Sequence, residues 1–373
     1  MEPTESGHAA ARVSAHAAVG ARLALFSDRR LRDAVAAAPV LGSGVGGRSG
    51  EMEVEGVPVF VKRVPLTDLE LVGAHVRSTA NLFELPLFYQ YGVGSSGFGA
   101  WRELAAHLMT TGWVLENEYA GFPLLYHWRV LPDSPPAGFA DAFGGVEGAV
   151  AHWEGSPAVR RRLEAIGKAA HSLVLFLEHV PRTLGAWLRD ARDTGDTSDA
   201  GGARQAGHGD GSSPYRWVED ALVRGTRFLS GRGLVHFDAH FDNLLTDGRQ
   251  VYFADFGLAL SRDFELSAPE REFLAGHLVY DRSYAPTHLL RHHLPEDARG
   301  GMEPGAFLRA WAAGHRPGSV PSDLAALLDR HVPHAIVLDD FHRRLLTRSK
   351  RTPFPAAEVR RALGAAAGSA PGL

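Results

Sequence analysis

The stretch Leu234-Val235-His236-Phe237-Asp238-Ala239-His240-Phe241-Asp242-Asn243-Leu244-Leu245, followed by Ala254-Asp255-Phe256-Gly257, decides how this 373-residue chain is read. It holds an H-x-D-x-x-x-x-N group and, twelve residues after the Asn, a D-F-G. Between them, Leu244-Leu245-Thr246 and Gln250-Val251-Tyr252-Phe253 are short apolar runs split by Asp247-Gly248-Arg249. Asp-Gly supplies the positive backbone angles of a tight turn, so the spacing predicts a hairpin with Asn243 and Asp255 at its open end. One amide oxygen and one carboxylate suit a hard cation that takes few protein ligands, as magnesium does when phosphates supply the rest.

The two motifs at this spacing resemble the protein-kinase superfamily, including its small-molecule phosphotransferases. The resemblance implies an α+β, two-lobed kinase-like fold with a β-rich N-terminal lobe and a mainly helical C-terminal lobe. It implies ATP and Mg2+ as cofactors, Asp238 as the catalytic base that orients an acceptor hydroxyl, Asn243 and Asp255 as metal ligands, and His236 as support for the loop. A rival reading comes from Asp238-Ala239-His240-Phe241-Asp242, which matches the D-A-H-x-D element of manganese hydrolases, where alternating side chains face a metal from a strand. The other segments that such hydrolases use are absent from the sequence.

Upstream, Gly42-Ser43-Gly44-Val45-Gly46-Gly47 fits G-x-G-x-x-G through Gly42, Gly44 and Gly47, whose missing side chains let backbone N–H groups approach phosphate oxygens. The alternating run from Glu53 to Val61 follows, so the loop opens into a hairpin; a dinucleotide site needs a helix there. Lys62 ends the strand-like Val59-Phe60-Val61-Lys62, and only Lys62, Lys168 and Lys350 are lysines among the 39 basic residues. A compact ammonium at this place suits phosphates as a point charge, which the fork of Arg does not reproduce.

The Lys partner predicted from the kinase pattern is Glu103, on an amphipathic helix with apolar residues at 101, 104, 105 and 108, for which Ser95 or Ser96 is the candidate cap. The interval from Lys62 implies an insertion over 64–98 holding a short helix near Thr67–Arg77, so Glu70 and Glu84 are alternative partners. Phe122–Val130 and Ser172–Val180 read as strands. By resemblance the second runs into a hinge whose main chain at Glu178 to Val180 meets adenine. Helices are predicted near 14–38, at Thr183–Arg189 and from Trp217 to Leu229. Domain limits follow: an N-terminal helical extension at 1–39, an N-lobe at 40–180, a C-lobe at 181–365 with a flexible insertion at 191–214, and a disordered tail at 366–373.

Composition bounds the rest. With 45% hydrophobic residues the chain can bury a large core, and no apolar run approaches membrane-spanning length. The acidic start Met1-Glu2-Pro3-Thr4-Glu5 is unlike a signal peptide, so a soluble cytoplasmic protein with no membrane partner is expected. Without cysteine there is no disulfide or thiolate chemistry, and a net charge of −4 gives no general case for nucleic acid. Abundant Ala, Gly and Arg with scarce Lys point to a bacterial source. The expected activity is transfer of the ATP γ-phosphate to a hydroxyl, with protein Ser/Thr as first acceptor because Asp255-Phe256-Gly257-Leu258-Ala259 is the protein-kinase form. A small-molecule acceptor is the alternative, because His240 stands two residues after Asp238 as in aminoglycoside-type phosphotransferases. A pseudokinase scaffold is the non-enzymatic alternative. Ser267-Ala268-Pro269-Glu270 reads as a helix start that leaves little room for a phosphorylated activation loop, and Phe237 stands where an Arg would pair with such a phosphate.

Overall fold

The computed structural model describes residues 5–44, 47–92, 94–135, 138–193 and 213–368. Residues 45–46 of the glycine motif, 194–212 of the expected insertion and 369–373 of the expected tail lie outside them. The chain is mixed α+β and forms two compact units, residues 1–180 with 255–271 and residues 181–254 with 272–373. The sequence placed 1–39 apart and all of 181–365 in one lobe; instead, both 1–39 and 255–271 belong to the first unit.

Two helices open the first unit, α1 (Glu5–Ala24) and α2 (Asp28–Ala37), where one was expected near 14–38. The break falls at Ser27, whose hydroxyl accepts from the Arg30 N–H and starts a new helix. Strands β1 (Val40–Gly44), β2 (Gly47–Val54) and β3 (Val57–Leu66) then form a meander, and the first unit's sheet is completed by β4 (Leu125–Pro132) and β5 (His171–Glu178). The sheet is antiparallel in the order β1-β2-β3-β5-β4. Between β3 and β4 lie α3 (Asp68–Leu71) and α4 (Ala100–Leu115), and between β4 and β5 lie α5 (Val146–His152) and α6 (Pro157–Ile166).

Side chains alternate along β3, so Phe60, Lys62, Val64 and Leu66 share one face. Phe60, Val64 and Leu66 pack there with Trp101 and Leu104 of α4 and with Leu173, Leu175 and Leu177 of β5. Burial of that apolar face thereby fixes which side of the sheet Lys62 occupies. The insertion before α4 builds a second core, with Phe83, Leu85, Tyr89 and Phe98 packed on Val159 and Leu163 of α6 and on Trp153 in the α5–α6 connection. Its helical part is the single turn α3 and two 3₁₀ turns, at Gly73–His75 and Leu87–Gln90.

In the second unit β6 (Arg182–Thr183) leads into α7 (Leu184–Asp193), and α8 (Pro214–Gly231) precedes β7 (Leu234–Val235). The expected hairpin is β8 (Leu244–Thr246) with β9 (Val251–Phe253), paired Leu244 to Phe253. Gly248 supplies the positive φ of its turn, at 86°, and Asp247 accepts from the Arg249 and Gln250 N–H groups. β10 (Leu260–Ser261), α9 (Ala268–His277), α10 (Tyr280–His292), α11 (Glu296–Arg299), α12 (Pro304–Ala312), α13 (Ser322–Thr347) and α14 (Ala356–Gly368) complete the chain. Among the described residues no helix is long and apolar enough to cross a membrane.

Candidate functional site

Two groups of residues carry the motifs, one in each unit. In the first unit Lys62 Nζ lies 2.6 Å from Glu103 Oε1 and 2.7 Å from Asp255 Oδ1. Three segments far apart in sequence thus converge on one ammonium. Burial pushes the Lys62 ammonium toward the neutral form, but Asp255 and Glu103 more than reverse this and hold its pKa above the ordinary range. Glu103 is shifted upward by its own burial, which the Lys62 charge only partly offsets. Asp255 keeps 44% of its side chain exposed while bonded to Lys62. Its φ is 60°, a left-handed backbone uncommon outside glycine, and its Oδ1 also accepts from the Gly257 N–H.

The alternatives for the Lys62 partner have other positions. Glu70 is buried at the start of α4, where its carboxylate accepts from Ala100 N–H at 2.8 Å, from Thr67 N–H and hydroxyl, and from Arg162 at 2.8 Å. It is therefore the cap of α4 from thirty residues upstream, in place of Ser95 or Ser96, and the residue at the cap position is Gly99. Glu84 is an exposed turn residue with φ 54°.

Of the glycine motif, Gly44 pairs with Gly47 across the β1–β2 hairpin and Gly42 pairs with Ser49. Gly47 has φ 122°, and a Cβ there would overlap the Arg63 carbonyl of β3, so close strand packing alone demands this glycine. Glu178 and Val180 end the first unit's continuous stretch. The Glu178 N–H donates to Leu124 O at 2.8 Å, and its carboxylate holds Arg12 of α1 at 2.7 and 2.8 Å. Val180 is half-buried in irregular chain after β5.

The second group is the loop 236–243. His236 is fully buried; its Nε2 donates to Ala254 O at 2.9 Å and its Nδ1 accepts from Asp238 N–H, which fixes the tautomer. The Ala254 N–H in turn donates to Asn243 O, extending the β8–β9 ladder to the residue before Asp255. Asn243 Nδ2 donates to the Asp238 carbonyl at 3.0 Å and to Asp238 Oδ2 at 3.1 Å. With its NH₂ so held, Asn243 has its amide oxygen as the atom to offer a cation. An amide oxygen is a hard, neutral donor of the kind magnesium accepts when phosphates and water complete its shell. Among the described residues no group of three or more His, Cys, Asp or Glu is gathered to hold a metal ion. The hydrolase alternative needs Asp238-Ala239-His240-Phe241-Asp242 on a strand. These residues instead form loop and turn, with Asp242 83% exposed.

One residue of this loop's support carries no motif in the sequence. Asp281 on α10 is buried and accepts from the His236 N–H at 2.6 Å and the Phe237 N–H at 3.0 Å. These two bonds hold Phe237 at φ 64° immediately before Asp238. The Phe237 ring, in the place of an Arg that would pair with an activation-loop phosphate, packs on Phe273 and Tyr280. Contact through backbone N–H groups leaves no side-chain signature in the loop, so only a buried carboxylate on a downstream helix could have hinted at it.

After Asp255 the chain is tied down within the first unit. Arg102 donates to Thr79 O at 2.7 Å and pairs with Glu270 Oε1 at 2.6 Å, both side chains almost fully buried. Gln90 donates to Leu258 O, and Phe256 packs against His107 of α4. Ser261 is buried, and Ser267, at the expected helix start, forms a capping box with Glu270. The chain matches no protein-family model and no curated protein sequence.

Proposed function

We propose that the chain is an ATP-dependent phosphotransferase acting on a hydroxyl, with protein Ser/Thr as first acceptor. The observation that carries this reading is the ammonium of Lys62 held between Glu103 and Asp255. A cation aligned by one buried carboxylate and a second, half-exposed carboxylate is a device for gripping phosphate groups while a metal takes the exposed acid. Asn243 and Asp255 would hold magnesium, which when bound neutralises phosphate charge. Asp238 would accept the proton of the acceptor hydroxyl, its carboxylate oriented by Asn243, while His236 and Asp281 keep its loop in place. A small-molecule acceptor is the second reading, favoured by His240, whose Nε2 stands 3.7 Å from Asp238 Oδ1.

The test is incubation of purified protein with γ-labelled ATP and magnesium, alone, with a generic protein substrate, and with a panel of hydroxyl metabolites. Turnover should depend on magnesium and be abolished in Asp255→Asn, because an amide offers a dipole where the cation needs a full charge. Asp238→Asn should lower turnover by about 10²–10⁴-fold and leave ATP affinity nearly unchanged. Full turnover in Asp255→Asn would refute the assignment, whereas magnesium-dependent ATP binding with no transfer to any acceptor would leave the scaffold reading.

A further inference from the structure

Helices α8, α10, α13 and α14 of the second unit surround a cavity of about 610 Å³ that none of the residues above uses. Its floor is a polar chain. The Glu219 carboxylate receives Arg330 at 2.5 and 2.7 Å and His331 Nε2 at 2.6 Å. His331 Nδ1 then meets His334 Nε2 at 3.0 Å, and His334 Nδ1 meets the Ser283 hydroxyl at 3.1 Å. Each donor finds one acceptor when Glu219 is ionised, so the relay is closed and the Glu219 charge is spent on Arg330 and His331.

Three more guanidinium groups line the cavity, from Arg216 and Arg227 on α8 and Arg282 on α10. Among the described residues these three form no ion pair and no side-chain hydrogen bond. Arg227 and Arg282 lie close enough to repel, and Arg282 also faces His334. The remaining carboxylates of the lining, Asp220 and Asp323, are exposed, as are Arg216 and Arg227, while Arg282 is half-buried; neither acid bridges to any of the three. Four guanidinium groups against three carboxylates leave the lining with a net positive charge that an anion would relieve. Guanidinium forks match phosphate and carboxylate oxygens in pairs, and the volume is that of a small-molecule site.

We propose that this cavity binds a small molecule carrying at least two negative charges of phosphate or carboxylate type. The site is independent of the phosphotransferase reading, since it shares no residue with it. The test uses the full chain without magnesium or nucleotide, titrated with pyrophosphate or citrate, against sodium chloride of matched ionic strength. Wild type is compared with the double variant Arg227→Gln/Arg282→Gln and with Arg224→Gln, an exposed α8 residue outside the lining. Calorimetric titration should show saturable binding to wild type and Arg224→Gln, weakened by about tenfold or more in the double variant, roughly the loss of one or two charge-assisted bonds. Preference for pyrophosphate over citrate assigns phosphate, and the reverse assigns carboxylate. Without anion, the double variant should melt at or above the wild-type temperature because a repulsion has been removed. Binding no better than chloride, equal binding in the double variant, or a double variant that melts lower without anion would each overturn the assignment.

Discussion

Asp281 is worth more to its neighbours than to itself, because its two carboxyl oxygens are spent on two backbone N–H groups of the residues before Asp238. Burial raises its pKa to about 7 even though both N–H bonds, the His236 one first, pull it down, and the Asp238 charge adds to the rise. A carboxyl whose folded pKa lies above its unfolded value of 3.8 contributes stability that is full below about pH 4 and is lost as pH rises through 7. Asp281→Asn removes that titration and offers one acceptor oxygen where two N–H groups need partners. The variant should lose about 1–3 kcal/mol at pH 5, from one stranded buried donor, and the deficit should shrink by pH 8. Urea unfolding of both proteins at the two pH values checks this, and a deficit that grows with pH would refute the sign. At this scale the sequence was legible where chemistry is local: His236, Asp238 and Asn243 lie within eight residues and bond to one another or to the adjoining hairpin. Lys62 and Glu103 were legible through strand and helix periodicity. Asp281 and Glu70 were not, because each serves main-chain groups, and a peptide N–H looks the same in every sequence.

Helix α4 holds the residues after Asp255 through two adjacent side chains facing different partners: Glu103 reaches Lys62, and Arg102 reaches Glu270. The second pair is almost fully buried, so removing one partner strands a charge. Arg102→Leu should cost about 3–5 kcal/mol, whereas Arg102→Leu/Glu270→Leu should recover much of that by removing both charges. Chemical denaturation of the single and double variants measures this coupling; additive losses would show that the pair is not a unit. With Ser261 buried and Ser267 occupied as a helix cap, neither hydroxyl is presented for phosphorylation. If the chain is the phosphotransferase proposed above, activity and ATP binding should be unchanged by complete phosphatase treatment, with phosphate content followed by mass spectrometry; a large loss restored by rephosphorylation at either serine would contradict this. The helix start at Ser267 was readable because Ser, Pro and Glu in order describe a cap by themselves. The start of α4 was not: its N-terminal N–H is satisfied by Glu70 across the insertion, and no local signal marks Gly99 as the cap position. The break at Ser27, inside the single helix expected near 14–38, rests on one hydroxyl that accepts from the Arg30 N–H.

Across the whole chain, sequence order and spatial order part company, since residues 255–271 belong to the unit built mainly from residues 1–180. Sequence patterning cannot reveal this, because the affiliation rests on burial of Phe256 and Phe264 and on pairs formed with residues well over a hundred positions away, such as Gln90 to Leu258 and Arg102 to Glu270. The affiliation has a consequence for dissection of the protein. A fragment of residues 1–180 keeps the whole five-stranded sheet and the Lys62–Glu103 pair, yet it loses the carboxylate facing Arg102 and the apolar side chains that segment 255–271 buries. A buried guanidinium without its acid costs about 3–5 kcal/mol, a large share of the 5–15 kcal/mol that holds a domain together. The fragment should therefore melt well below the full chain, or without a cooperative transition, and be cleaved readily by protease. The same fragment with residues 255–271 appended through a flexible glycine-serine linker should regain a cooperative melt, and Glu270→Gln in that appended segment should undo most of the gain. Circular dichroism melting of the three fragments decides the matter: a cooperative transition for 1–180 alone at the temperature of the linked form would show that the sheet and its helices need nothing from segment 255–271.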